Sequence, residues 1–178
     1  MRVRICILLA IATVITFAVQ GQMRAADWPM WRYDAGRTAG SPQELRGDLH
    51  LQWTIDYPKL DPAWPDEDRM IFDTSYEPIV LGKTVYIASP RSDSVTALST
   101  RTGEMKWRFY TDGPIRLAPA AWNGKLYVGS DDGYLYCLDA ESGEVIWRFR
   151  GARSDRKVLG NKRLISTWPV RGGPAVMD

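Results

Sequence analysis

Few side chains in this sequence could do chemistry. His50 is the only histidine, so a zinc site or a Ser-His-Asp triad built from this chain would need it. Its setting, His50-Leu51-Gln52-Trp53, reads as a strand and suits a surface or edge role better. Asp131-Asp132-Gly133 resembles the start of a calcium loop, but the downstream ligands of an EF-hand loop do not follow, and the triplet reads as a hairpin turn. Two charged stretches remain. Residues 56–77 are rich in proline and acid and include Asp61, Asp66, Glu67 and Asp68. Residues 151–172 are basic: Arg153, Arg156, Lys157, Lys162 and Arg163 lie inside together with Trp168, and Arg148 and Arg150 lie beside. Neither stretch forms a catalytic, cofactor or metal set. They read either as binding loops, with Asp66, Glu67, Asp68, Arg153, Arg156, Lys157 and Trp168 as the candidate contact residues, or as solvated insertions that pair with each other or with missing blades.

The elements that would carry these loops repeat. Ala97-Leu98-Ser99-Thr100-Arg101-Thr102-Gly103-Glu104-Met105-Lys106-Trp107 is matched by Cys137-Leu138-Asp139-Ala140-Glu141-Ser142-Gly143-Glu144-Val145-Ile146-Trp147. Each copy reads as strand, tight turn, strand, with glycine where the turn needs positive φ. Each Trp lies four residues after its Gly, an even step that puts both on one face of a regular strand. Around the first copy, strands are expected at 78–81, 84–89, 94–98 and 105–110. Around the second they are expected at 118–122, 126–130, 134–139 and 145–150, with Asn123-Gly124 as a hairpin signal. Tyr86 and Tyr127 are displaced by 41 residues, Gly103 and Gly143 by 40, so one residue is lost between the second and third strands. Four short strands in about 40 residues make one blade of a β-propeller.

Flanking pieces extend the pattern. Residues 51–55 resemble the Trp-bearing outer strands, and Gly173-Pro174-Ala175-Val176 resembles Ala118-Pro119-Ala120-Ala121, the opening of a blade. The fold class expected is therefore all-β: two complete four-stranded antiparallel blades, at 78–110 and 118–150, with flanking single strands in an incomplete ring. A third blade starts at 173–178. Propellers close with about four to eight blades, so the sequence reads as the N-terminal piece of a longer protein, 49–178 being its repeat region. Residues 27–48 form an irregular aromatic segment in which Trp28, Trp31 and Tyr33 could plug against a sheet and Asp34 and Arg37 are available to pair.

Residues 1–26 read as a signal peptide: Arg2 and Arg4 precede an apolar run from Ile5 to Val19, short of the ~20 residues that span a bilayer. An uncleaved anchor is the alternative, and the membrane enters only through this segment. Cys6 lies in the run without a lipidation context. Export to the periplasm or cell envelope follows. Without this segment, 23 − 3 = 20 bases face 21 acids, a net charge of −1, which gives no support to nucleic-acid binding. Cys137 is then the sole cysteine, and no intrachain disulfide is possible.

The two motifs resemble Ala-x-Asp-x-x-Thr-Gly-x-x-x-Trp, the tryptophan-docking motif of the quinoprotein-like (PQQ-repeat) β-propellers. Ala97, Thr102, Gly103 and Trp107 match in the first copy, with Ser99 in place of Asp. Asp139, Gly143 and Trp147 match in the second, with Cys137 for Ala and Ser142 for Thr. The opening Trp28-Pro29-x-Trp31-Arg32 is similar to that of secreted members. The resemblance implies that the motif Trp docks between neighbouring blades. Its dehydrogenases use PQQ and calcium with a catalytic Asp, calcium ligands and often adjacent cysteines; no such set can be placed here. Its non-enzymatic members bind proteins through their loops. The expectation is thus an interaction or ligand-binding scaffold with no cofactor, whose partners are other proteins or the remaining blades. The alternative is the N-terminal part of a PQQ-dependent dehydrogenase.

Overall fold

A computed structural model describes residues 27–177 apart from 46, 63–65, 67–68, 70–72, 74 and 161. The signal-like segment 1–26 and the candidates Glu67 and Asp68 lie outside the described residues. Among the described residues ten strands form, all paired antiparallel. β1 (Ile79–Leu81), β2 (Thr84–Ser89), β3 (Ser94–Ser99) and β4 (Met105–Tyr110) make one four-stranded meander, in that order. β5 (Ala120–Trp122), β6 (Lys125–Gly129), β7 (Tyr134–Asp139) and β8 (Val145–Arg150) make the second. The chemistry of the turns sets these boundaries. Asn123 and Gly124 both take positive φ, at 47° and 71°, the twist a two-residue hairpin needs. Gly103 and Gly143 sit at +73° and +77°.

The two sheets pack face to face. In the first, Ile79, Tyr86, Ala97 and Trp107 stand in one cross-strand row, and Ala88, Val95 and Phe109 lie on the same face. The second answers with Ala121, Leu126, Val128, Tyr136 and Leu138. Phe109 meets Tyr136 edge-on at 5.3 Å. Side chains two apart on a strand thus share the packed face, while the central strands β2, β3 and β7 are covered on their other face too, with Ile87, Leu98 and Cys137 buried.

Three expectations are corrected. First, both outer strands carry a one-residue bulge just before their Trp: Ala97 pairs with Trp107 but Leu98 with Met105, and Cys137 pairs with Trp147 but Leu138 with Val145. The extra residue, Lys106 or Ile146, breaks the two-residue alternation. Trp107 therefore does not share a face with its own Gly103. Secondly, residues 51–55 and 173–176 pair with no strand among the described residues. Thirdly, the stretch 151–172 is not a plain connection. It folds into a hairpin of β9 (Lys157–Gly160) and β10 (Arg163–Ser166).

The irregular segment after Asp27 runs along the inner strands. Trp28 forms a two-way backbone bridge with Val80 of β1, at 2.8 Å each way. The Pro29 carbonyl accepts from Ala121 N of β5 at 2.7 Å, and Arg37 donates to the Gly173 carbonyl at 2.8 Å. Arg32 and Arg37 both stack on Trp31. Asp34 accepts from the Thr38 hydroxyl and amide, which holds its carboxyl below the usual range.

Candidate functional site

The joint between the sheets comes first, because it positions everything else. Trp107 lies on Gly143 of the second sheet: a Cβ there would stand 2.6 Å from the indole. Glycine is required twice over at that position, once for its φ and once for this approach. The Trp107 Nε1 donates to the Ala140 carbonyl at 3.2 Å, and the Tyr86 hydroxyl donates to the same oxygen at 2.8 Å. The same joint occurs one repeat earlier. Trp53 lies over Gly103 at 2.9 Å from a built Cβ and donates to the Thr100 carbonyl at 2.9 Å. Trp53 reaches this place from an unpaired segment, so the ladder is not what positions it.

The turn around the glycine is built from the other motif residues. Asp139 accepts from the Glu141 and Ser142 amides at 3.0 and 2.8 Å, and these bonds hold its carboxyl below its ordinary value. Ser99 plays the same part in the first copy with weaker 3.3 Å bonds, and the Thr102 hydroxyl there donates to Glu104. Ala97 and Cys137 lie directly across from the Trp residues and are fully buried. Burial pushes the Cys137 thiol up. Trp147 has no facing glycine among the described residues and is 40% exposed.

The rim where the long connections converge holds a cleft of about 470 Å³ lined by residues from four segments. Leu60, Asp61, Pro62 and Asp73 come from the acidic connection, and Pro90 and Arg91 from the turn between β2 and β3. Pro114 and Arg116 come from the inter-sheet connection, and Lys162 and Arg163 from the β9–β10 hairpin. Ion pairs tie these segments together. Arg91 pairs with Asp61, Arg163 with Asp93, and Arg116 with Asp73. Beneath them Asp131, 1% exposed, accepts from Arg116 Nε at 2.7 Å and from two nitrogens of Arg171 at 2.9 and 3.0 Å. Those bonds raise the Arg171 guanidinium above its ordinary value. The adjoining Asp132 accepts from the Tyr136 hydroxyl at 2.6 Å and the Tyr134 amide at 2.9 Å. Burial, and then the Asp132 carboxylate, push the Tyr136 phenol far up.

The candidate contact residues fall mostly outside this cleft. Asp66, Arg153, Arg156, Lys157 and Trp168 are exposed, and none of them lines it. The cations that do line it include Arg91 and Arg116, single residues in short turns that no charged run advertises. His50 is exposed in an unpaired segment.

Two face-packed four-stranded meanders, joined by an indole of one on a glycine of the next, define a segment of β-propeller. The PQQ-repeat family model described as outer membrane protein assembly factor BamB matches residues 29–169. The chain belongs to that family. It is 26% identical over 155 residues to the quinohemoprotein alcohol dehydrogenase of Comamonas testosteroni, covering 79% of this chain and 21% of that protein. It is 27% identical over 181 residues to the 1-butanol dehydrogenase (cytochrome c) of Thauera butanivorans, covering 91% and 24%. Among solved structures, a europium-containing methanol dehydrogenase superposes with a TM-score of 0.55 at 22% identity, over 71% of this chain and 23% of that one. The quinohemoprotein alcohol dehydrogenase of Comamonas testosteroni gives 0.52 at 25% identity, over 74% and 21%. The chain spans about a fifth of the length of these curated relatives.

The described residues do not fit a quinone–calcium centre. No group of three or more carboxylate, imidazole or thiol side chains converges among them. The carboxylates of the 131–132 turn already accept from two arginines, a tyrosine and backbone amides.

Proposed function

We propose that this chain is part of an exported PQQ-repeat propeller that works as a binding scaffold, offering the cleft on its loop rim to a ligand or protein partner. One observation carries this reading: the acids at the cleft are each paired with an arginine, so the cleft presents ion pairs and the further cation Lys162 rather than a free base or metal ligand. Arginine and lysine donate and do not accept, an arrangement suited to gripping an anion and unsuited to taking a proton from a substrate. Export is supported by the basic-then-apolar pattern of residues 2–19.

A second reading is favoured by the similarity to alcohol dehydrogenases: the chain would contribute two blades to a quinoprotein dehydrogenase, with the reacting groups on other blades. The full-length protein decides between them. Incubated with PQQ and calcium, a scaffold shows no quinone retention and no alcohol-dependent dye reduction. Alcohol-dependent dye reduction that needs both additions would overturn the scaffold reading.

A further inference from the structure

The ion pairs of the rim cleft form two layers that differ in exposure. The inner layer, Asp131 with Arg116 and Arg171, is buried at its acid. The outer pair, Arg91 with Asp61, has side chains 46% and 83% exposed. An ion pair that open to water is weak and exchangeable, whereas a buried one is not. Lys162 also lines the cleft, and no acid among the described residues pairs with it. The rest of the lining combines the paired Asp73, Arg116 and Arg163 with an apolar share made by Leu60, Pro62, Pro90 and Pro114. The volume lies within the roughly 300–1,000 Å³ of small-molecule sites.

We propose that this cleft binds an organic carboxylate. Its headgroup displaces Asp61 from Arg91 and reaches Lys162, and its carbon body lies against Leu60 and the prolines. Asp61, supplied by the chain's own loop, is the built-in stand-in for that headgroup. A planar carboxylate is the natural partner of a guanidinium fork, and the proline wall selects for an apolar body over a bare inorganic anion. Displacing Asp61 leaves two cations, Arg91 and Lys162, for one incoming carboxylate. The inner layer keeps its own acids and stays in place as the floor. This inference rests on the reading of the rim as a binding face.

The test is calorimetric titration of the whole chain with benzoate at low ionic strength, with benzyl alcohol as the neutral match. Benzoate is expected to bind saturably and benzyl alcohol not. Arg91→Ala and Lys162→Asn are each expected to weaken benzoate at least tenfold; asparagine is chosen because Lys162 sits at φ 61°, a conformation asparagine tolerates. Asp61→Asn removes the internal competitor and is expected to tighten benzoate up to about fivefold, the worth of an exposed pair. A site that used Asp61 only to hold its loop would not gain affinity in that variant. The inference is overturned by no saturable benzoate binding in either wild type or Asp61→Asn, by equal binding of benzyl alcohol, or by affinity indifferent to all three substitutions. These outcomes leave the dye-reduction result unchanged, so failure here is distinguishable from failure of the scaffold reading.

Discussion

Removing the Trp107 side chain tests the inter-sheet joint directly. A Trp buries about 150–250 Å², which at ~25 cal/mol per Å² is about 4–6 kcal/mol gross. Trp107 is only partly covered, so Trp107→Ala is expected to cost ~3 kcal/mol, the lower end of the large-to-small range. Gly143→Ala attacks the same contact from the other side. Positive φ at +77° costs alanine ~1 kcal/mol, and a methyl 2.6 Å from the indole adds ~1 kcal/mol or more of overpacking. The double variant loses the clash along with the indole, so it should cost ~4 kcal/mol, less than the sum of the single changes. Urea denaturation of the four proteins, followed by circular dichroism, reads these differences. Trp147→Ala is the internal control: its indole is 40% exposed and faces no glycine among the described residues, so the cost should stay below ~1 kcal/mol. A Trp107→Ala loss under 1 kcal/mol, or strict additivity with Gly143→Ala, would refute the joint.

Other consequences can be measured in the same protein. Asp131→Ala removes the buried acid shared by Arg116 and Arg171, but Arg116 keeps Asp73 and Arg171 is 41% exposed, so the loss is expected at ~1.5–3 kcal/mol, whereas Arg171→Ala leaves Arg116 on the acid and should cost ~1 kcal/mol in the same denaturation assay. Burial and the Asp132 carboxylate raise the folded Tyr136 phenol above its ordinary value of 10.0, so its protonated form is favoured in the folded state. That stabilisation is full below pH 10 and is lost as pH climbs above it. Tyr136→Phe should flatten the alkaline fall in stability, as followed by melting temperature between pH 9 and pH 11. Cys137 is buried with its thiol pushed up, so iodoacetamide should label it, as read by peptide mapping, only at denaturant concentrations that unfold the second sheet.

The repeat was legible because its signals are local. Asn123-Gly124, the two turn glycines and the alternation of Tyr86, Ala88, Val95 and Ala97 each specify their own structure, and the eight main strands lie close to the expected ones. The bulges were not legible: nothing in Met105-Lys106-Trp107 marks Lys106 as the extra residue. Counting by twos along a regular strand therefore puts Trp107 on the face of Gly103, whereas the indole lies on Gly143. The β9–β10 hairpin had a faint signal, short apolar pairs either side of Asn161-Lys162, hidden by the basic residues around it. The cleft was the least legible part. Its floor joins Asp131 to Arg171 across 40 residues, and its wall joins Arg163 to Asp93 across 70. Runs of charge drew attention to Asp66 and Arg153, but solitary residues in short turns are the ones that tertiary packing brings together.

The segment that begins with Trp28 has an implication for the order of folding. Its partners are Val80, Ala121 and Gly173, the last of them 136 residues from Arg37. A ribosome releases the Trp28 segment well before any of these partners exists. Each bond must wait for a later stretch to emerge, and the closing of such long loops slows folding. Until Gly173 is available, Arg37 has only its local contacts with the Trp31 carbonyl and ring. The part of this region synthesised early is thus among the last to be secured, and a chain halted between the two sheets would carry it loose.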